Sequence, residues 1–141
     1  GYRVVVTDDR AELCTPESMP EADEYVVCPM AEIPQKINIT TYTYIVVATR
    51  GSDVDIAGLP ALLDTENAYL GVIGSQKRWL NTQKEINKKK DYSSKFSGVF
   101  SPIGIELKGE TPEEIALSIM AEILMVANNT SGVSMSRSRK K

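Results

Sequence analysis

Four short apolar runs punctuate the first half of the chain: residues 3–8 (RVVVTD), 24–28 (EYVVC), 44–49 (YIVVAT) and 68–73 (AYLGVI). Each is rich in β-branched or aromatic residues, and none alternates cleanly between apolar and polar. That is the pattern of strands buried on both faces, as in a parallel sheet. The connectors carry helical signals. Residues 55–63 (DIAGLPALL) predict a helix that Pro60 limits or kinks. Ser75 is placed to cap a helix running from Gln76 to about Lys90, with Lys88, Lys89 and Lys90 at the end where the helix dipole favours cations. That lysine run reads as a solvated helix end.

Residues 91–98 are turn-rich, and residues 99–107 (VFSPIGIEL) predict a short strand, a Pro-Gly turn and an extended exit. The clearest helix start follows: Thr111 as N-cap, Pro112 at the first helical position and Glu114 three residues after the cap, which together make a capping box. This helix should run to about Ala127 and stop at Asn128 and Asn129. Residues 130–141 (TSGVSMSRSRKK) are small and polar and read as a disordered basic tail. Strands alternating with helices imply right-handed crossovers and a three-layer αβα, mostly parallel α/β domain over residues 1–129.

Composition narrows the chemistry. The 141 residues fit one domain, and 42% apolar residues suffice for a core. Net charge is −3, but the last five residues hold four of the 16 basic groups, so residues 1–136 carry 12 basic against 19 acidic groups. An acidic body argues against nucleic acid as a partner. There is no histidine, which excludes a Ser-His-Asp triad, a Cys-His pair and a His-ligated zinc, and no metal site is read within the chain. Cys14 and Cys28 form no CxxC pair, and a reducing cytoplasm is the default location. No apolar run is long enough to span a membrane.

In open α/β sheets, ligands bind beyond the C-terminal ends of the strands. The residues just after each run are therefore the candidates. Asp8, Asp9 and Arg10 close the first run, and in a Rossmann-like domain an acid at the end of the second strand holds ribose hydroxyls. Thr49, Arg50 and Gly51 close the third run, with Arg50 offering a fork-shaped cation for a phosphate. Gly74 and Ser75 lead from the fourth run into a helix whose free N–H groups suit an anion. Pro102 and Gly104 belong to a further rim loop. In the last helix Glu122 is the only charge between Ile115 and Ala127. Two readings of it stand: a proton-transferring or ligand-contacting acid, and a structural acceptor for backbone N–H groups or an arginine. A helix so apolar is expected to be buried on more than one side, against the sheet and against a second domain or subunit.

At these residues the chain resembles the C-terminal Rossmann domain of the xanthine dehydrogenase accessory proteins, the XdhC/CoxI family. The matching segments are GYRVVVTDDRAE, PEADEYVV, YIVVATRGSDVD, AYLGVIGSQKR and SPIGIELKGETPEEIALSIMAEI. The resemblance implies a maturation role, in which such proteins help deliver finished molybdenum cofactor to xanthine dehydrogenase and related molybdenum hydroxylases. It also implies the motif residues named above, together with Thr111, Pro112, Glu113 and Glu114. Many members have histidine after the Thr-Arg-Gly triplet, where this chain has Ser52.

Family members also open the domain with a glycine-rich strand–turn–helix, and residue 1 falls at the start of the second strand. The fold expected is thus Rossmann-like without its first glycine-rich βα unit. That strand would occupy the middle of the sheet, so its absence leaves two inner edges facing each other. Three closures are expected: direct pairing of the first and third runs, strand exchange in a homo-oligomer, or a partner segment. Three functions follow: a molybdenum-cofactor-binding accessory module serving a hydroxylase client, an NAD(P)-binding oxidoreductase domain, and a fragment without activity of its own.

Overall fold

The computed structural model describes residues 1–138. In chain order it contains β1 (Val5–Asp8), β2 (Glu24–Val27), a 3-10 turn (Met30–Glu32) running into α1 (Ile33–Lys36), β3 (Tyr44–Val47), α2 (Ser52–Leu63), β4 (Tyr69–Val72), α3 (Gln76–Asn87), α4 (Ser93–Phe96), β5 (Val99–Phe100), α5 (Pro112–Ala127) and α6 (Met135–Ser138). Four strands fall on the four apolar runs, the fifth opens the 99–107 segment as expected, and every pairing is parallel.

The strands form two sheets. One is β1–β2, with Val5 opposite Glu24 and Asp8 opposite Val27. The other is β3–β4–β5, with Tyr44 opposite Tyr69 and Leu70 opposite Val99. Direct pairing of β1 with β3, one of the expected closures, is not formed. Residues of β1 and β3 line a common space between the two sheets, and no strand pairing joins them.

β4 is the buried centre of the larger sheet, and its side chains alternate between two cores. Leu70 and Val72 face α2 and α3, where Leu59, Leu62, Trp79, Ile86 and Phe96 complete the larger cluster. Tyr69 faces α5, packing with Ile119 and Ile123 beside Phe100 and Ile103. Gly71 lies on this second face because a Cβ there would overlap the Ile103 side chain. Helices on both faces of a parallel sheet make the three-layer arrangement.

Several boundaries shift for local reasons. α2 begins at Ser52, three residues before the predicted start, and brings Asp53 and Asp55 into its first turn, where the helix dipole favours acids. Pro60 sits inside it, within the last turn, so the helix ends at Leu63. α3 ends at Asn87 rather than near Lys90, with Lys88 as its C-cap. The turn-rich residues 91–98 contain the helical turn α4, which buries Phe96.

α5 follows the sequence pattern to the residue. The Thr111 hydroxyl accepts from the Glu114 N–H, and the Glu114 carboxylate accepts from the Thr111 N–H at 3.1 Å. Of the sides on which α5 is expected to be buried, the chain itself supplies the one against the sheet. Only Ile119 and Ile123 are buried, while Leu117 and Leu124 stay 63% and 49% exposed, because the sheet covers a single face. Residues read as a disordered tail include the exposed turn α6, and residues 139–141 of that tail lie outside the described residues.

Candidate functional site

β1 and β3 end at the same level, and their C-terminal residues form the rim of a cleft of about 400 Å³. Asp8, Asp9 and Arg10 stand on one side, Thr49 and Arg50 on the other, and Asp53 rises from the first turn of α2. The floor is apolar, with Met30, Ile33, Ala57 and Leu62 among its residues. It is closed where the 3-10 turn packs on α2, so tightly that a Cβ at Gly58 would overlap the Met30 side chain.

Both rim arginines are already engaged. The Arg10 guanidinium donates to both oxygens of Asp8 at 2.9 Å, and its backbone N–H donates to Asp8 Oδ1 at 2.9 Å. These bonds hold the Asp8 carboxyl at a pKa of about 2, against its ordinary value of 3.8. Arg50 reaches across the gap between the sheets and forks onto Asp9 at 2.9 and 3.0 Å. That bidentate pair lowers the Asp9 pKa and raises that of Arg50. At neutral pH the two carboxylates are therefore acceptors only. With Asp53 added, the rim holds three acids against two arginines.

Thr49 is fixed from behind. Its hydroxyl donates to Asp55 Oδ1 at 2.5 Å, and Arg78 from α3 donates to Thr49 Oγ1 at 2.9 Å and to Asp55 Oδ2 at 2.5 Å. Asp55 is 1% exposed, so this carboxylate stays in the interior only because a cation and a hydroxyl meet it there. Neither Asp55 nor Arg78 stands out in the sequence. Asp55 looks like an ordinary first-turn acid, and Arg78 like a helix surface residue.

The other candidates are distributed differently. Gly51 caps α2 from the strand end, and its carbonyl lies 3.2 Å from Thr49 Oγ1. Gly74, at φ +152°, and Ser75 turn the chain into α3, where the Ser75 hydroxyl accepts from the Arg78 N–H at 3.1 Å. They start the helix that carries Arg78 but do not line the cleft. Pro102 and Gly104 lie in the loop after β5, against α5. Gly104 adopts φ +96°, and a Cβ there would overlap Ser118 Oγ. Glu122, on α5, holds that loop. Its Oε2 accepts from the Tyr69 hydroxyl at 2.6 Å and from the Gly104 N–H at 2.8 Å. Burial and this bond push the Tyr69 hydroxyl pKa up. Of the two readings of Glu122, the geometry is that of a structural acceptor tying α5 to the strand ends.

Cys14 and Cys28 are both buried free thiols, and burial raises the Cys28 pKa above its ordinary value. Among the described residues no helix is long and apolar enough to cross a membrane.

Parallel strands with helices on both faces and a cleft at the strand ends define a Rossmann-like class of domain. Comparison with known proteins carries this further. The XdhC Rossmann domain matches residues 1–123, and the chain belongs to that family. It is 32% identical over 124 residues to a probable xanthine dehydrogenase subunit of Bacillus subtilis (strain 168), covering 88% of this chain and 36% of that protein. It is 26% identical over 133 residues to the uncharacterized protein YqeB of Escherichia coli (strain K12), covering 94% of this chain and 24% of that one. Among solved structures, a xanthine dehydrogenase from Bacillus halodurans superposes with a TM-score of 0.77 at 30% identity, over 92% of this chain and 38% of that one. The chain thus spans about a quarter to two-fifths of the length of these relatives.

Proposed function

We propose that this chain is the nucleotide-facing domain of an accessory protein for a molybdenum hydroxylase of the xanthine dehydrogenase type. In this reading its strand-end cleft takes the hydroxyl-bearing part of a molybdopterin nucleotide during cofactor insertion. The observation that carries it is the carboxylate pair at the end of β1. Asp8 and Asp9 are ionised acceptors on the rim of a cleft of about 400 Å³, where an adjacent diol would find two acceptors side by side. The family shared with a probable xanthine dehydrogenase subunit supports the client class.

The residues present fit the sugar end of such a group better than its phosphates. Arg10 and Arg50 are the rim's cations, and each is already bound to an aspartate. A phosphate gains Arg50 only by displacing Asp9. When bound, the cofactor would supply the redox and pterin chemistry to its client. This chain's own residues would orient it, hold its hydroxyls and cover one side with the apolar floor. A cytoplasmic location belongs to the same reading, in keeping with the free thiols of Cys14 and Cys28.

The position of Asp8 also favours a second reading. An acid at the end of the strand beside the nucleotide position is the ribose-holding group of NAD-binding domains, which gives an NAD(P)-binding oxidoreductase domain as the alternative. Calorimetric titration with a molybdopterin nucleotide, NAD and NADP separates the two. Under the first reading the pterin nucleotide binds and Asp8→Asn weakens it about tenfold or more. Binding of NAD alone replaces the first reading with the second, and no binding of any of the three ends both. Asp9→Asn reports the contact through its sign. If hydroxyls are held there, affinity falls; if a phosphate is held by the freed Arg50, affinity rises.

A further inference from the structure

Charge is segregated along this chain. Residues 76–95, which include α3 and α4, hold seven basic groups against two acidic ones, while the rest of residues 1–136 holds five against 17. Four of the seven are engaged within the fold. Arg78 meets Asp55, Lys88 meets Glu85 one turn away, and Lys90 and Lys95 stand 3.7 and 2.6 Å from Asp64. Lys77, Lys84 and Lys89 form no ion pair with any described residue.

α3 turns one side inward and the other to solvent. Trp79, Thr82 and Ile86 are its buried residues. At about 100° per residue, Leu80, Lys84, Lys77 and Asn81 share one strip on the opposite side. Leu80 is 58% exposed on that strip, with a free lysine about one turn before it and one turn after. The charge of the strip works against the helix that carries it. Lys77 and Arg78 stand in the first turn, where the dipole disfavours cations, and no acid offsets them. α2 and α5 each place two acids in that turn. The strip also begins beside the cleft. Arg78, next to Lys77, donates to Thr49 of the cleft rim at 2.9 Å.

We propose that this strip of α3 is the surface on which the hydroxylase client docks, with acidic groups of the client meeting Lys77 and Lys84 around an apolar socket for Leu80. The identity of the client rests on the accessory-protein reading above; the chemistry of the contact rests on charge complementarity. Lys77 and Lys84 lie about 11 Å apart along the helix. A nucleic-acid backbone or an anionic lipid surface extends its negative charge far past that length, and the acidic remainder of the chain would be driven against it. A protein surface can confine its acids to a patch of that size. Leu80 supplies the desolvated centre of the contact, and the lysines supply a rim that steers the encounter. A client seated there stands next to the cleft mouth.

The test titrates the full chain with a xanthine dehydrogenase-type hydroxylase of the same organism, purified without its cofactor, by surface plasmon resonance. The expected result is saturable binding that weakens at least tenfold between about 50 and about 500 mM salt. Lys77→Glu with Lys84→Glu should weaken it about tenfold or more, and Leu80→Ala about tenfold, with the circular dichroism unchanged. Lys36→Glu with Lys108→Glu makes the same change of net charge away from α3 and should alter affinity less than about twofold. Each variant is also titrated with the molybdopterin nucleotide. A chain that binds the nucleotide but not the hydroxylase overturns the docking surface and leaves the cleft reading standing. One that binds the hydroxylase through the strip but not the nucleotide keeps the docking surface and removes the cleft reading, and one that binds neither ends both. Equal weakening by the two lysine pairs overturns the proposal, since net charge and not the strip would then decide. Tighter binding to duplex DNA or to phosphatidylglycerol vesicles than to the hydroxylase also overturns it. So does salt-sensitive self-association in light scattering that Lys77→Glu with Lys84→Glu abolishes, because a second copy would then be the occupant.

Discussion

β4 and β1 are both four-residue parallel strands, yet every residue of β4 is buried and no residue of β1 is. β4 has β3 and β5 on its two edges, α2 and α3 over one face and α5 over the other. β1 is paired only with β2, and no helix of the larger clusters lies above it. Buried side chains in residues 1–38 reduce to Cys14 and Cys28. A parallel strand is an interior element only when four neighbours surround it, two strands and two layers. The two halves share sequence character and differ in the neighbours supplied.

This contrast can be broken or sharpened by substitution. The largest effect is expected at the link between α3 and the rim. Arg78→Ala leaves Asp55 as an uncompensated buried carboxylate and should cost about 3–5 kcal/mol in chemical denaturation. A loss below about 1 kcal/mol would mean that water reaches Asp55 and that this corner is not part of the firm half. Leu62→Ala, at a side chain 0% exposed, should cost about 2–5 kcal/mol, whereas Val26→Ala on β2 should cost about 1 kcal/mol or less. Equal losses would show that the β1–β2 half is packed as well as the other. Gly104→Ala forces a side chain into φ +96° against Ser118 and should cost about 1–3 kcal/mol, read as a fall in thermal midpoint.

The smallest expected effect is a pH dependence confined to the β1 end. The Asp8 carboxyl titrates at about 2 in the folded chain against an ordinary 3.8, so its pairing with Arg10 favours folding fully above pH 4 or so. That contribution is lost as the pH falls from about 4 to about 2. Carboxyl-carbon NMR through that window should show Asp8 titrating last among the exposed acids, and Arg10→Gln should return it toward its ordinary value. An Asp8 that titrates near 3.8 in the unmodified chain would remove the pair from the rim as described.

Much of the fold is legible in local pattern. The strand runs, the Ser75 cap and the Thr111–Glu114 capping box depend on residues within one turn or one strand, so the sequence displays them directly. Boundaries that depended on weaker local balances moved, as in α2, whose start at Ser52 has no side-chain cap to announce it. Most of the rim was visible for the same reason. Asp8, Asp9, Arg10, Thr49 and Arg50 follow their strands immediately and do line the cleft. Gly74, Ser75, Pro102 and Gly104 also follow strands, but their loops serve α3 and α5 instead.

The sequence by itself determined which segments are strands, that they run parallel, where α5 begins and ends, and which residues stand at the strand ends. These follow from side-chain shape, periodicity and capping, which act over a few residues. Only the tertiary structure decided that Arg50 is held by Asp9, 41 positions away, that Thr49 is fixed by Asp55 and Arg78, and that Glu122 serves Tyr69 and Gly104. Charges and hydroxyls find partners through space, and several acids along the chain could have met each arginine.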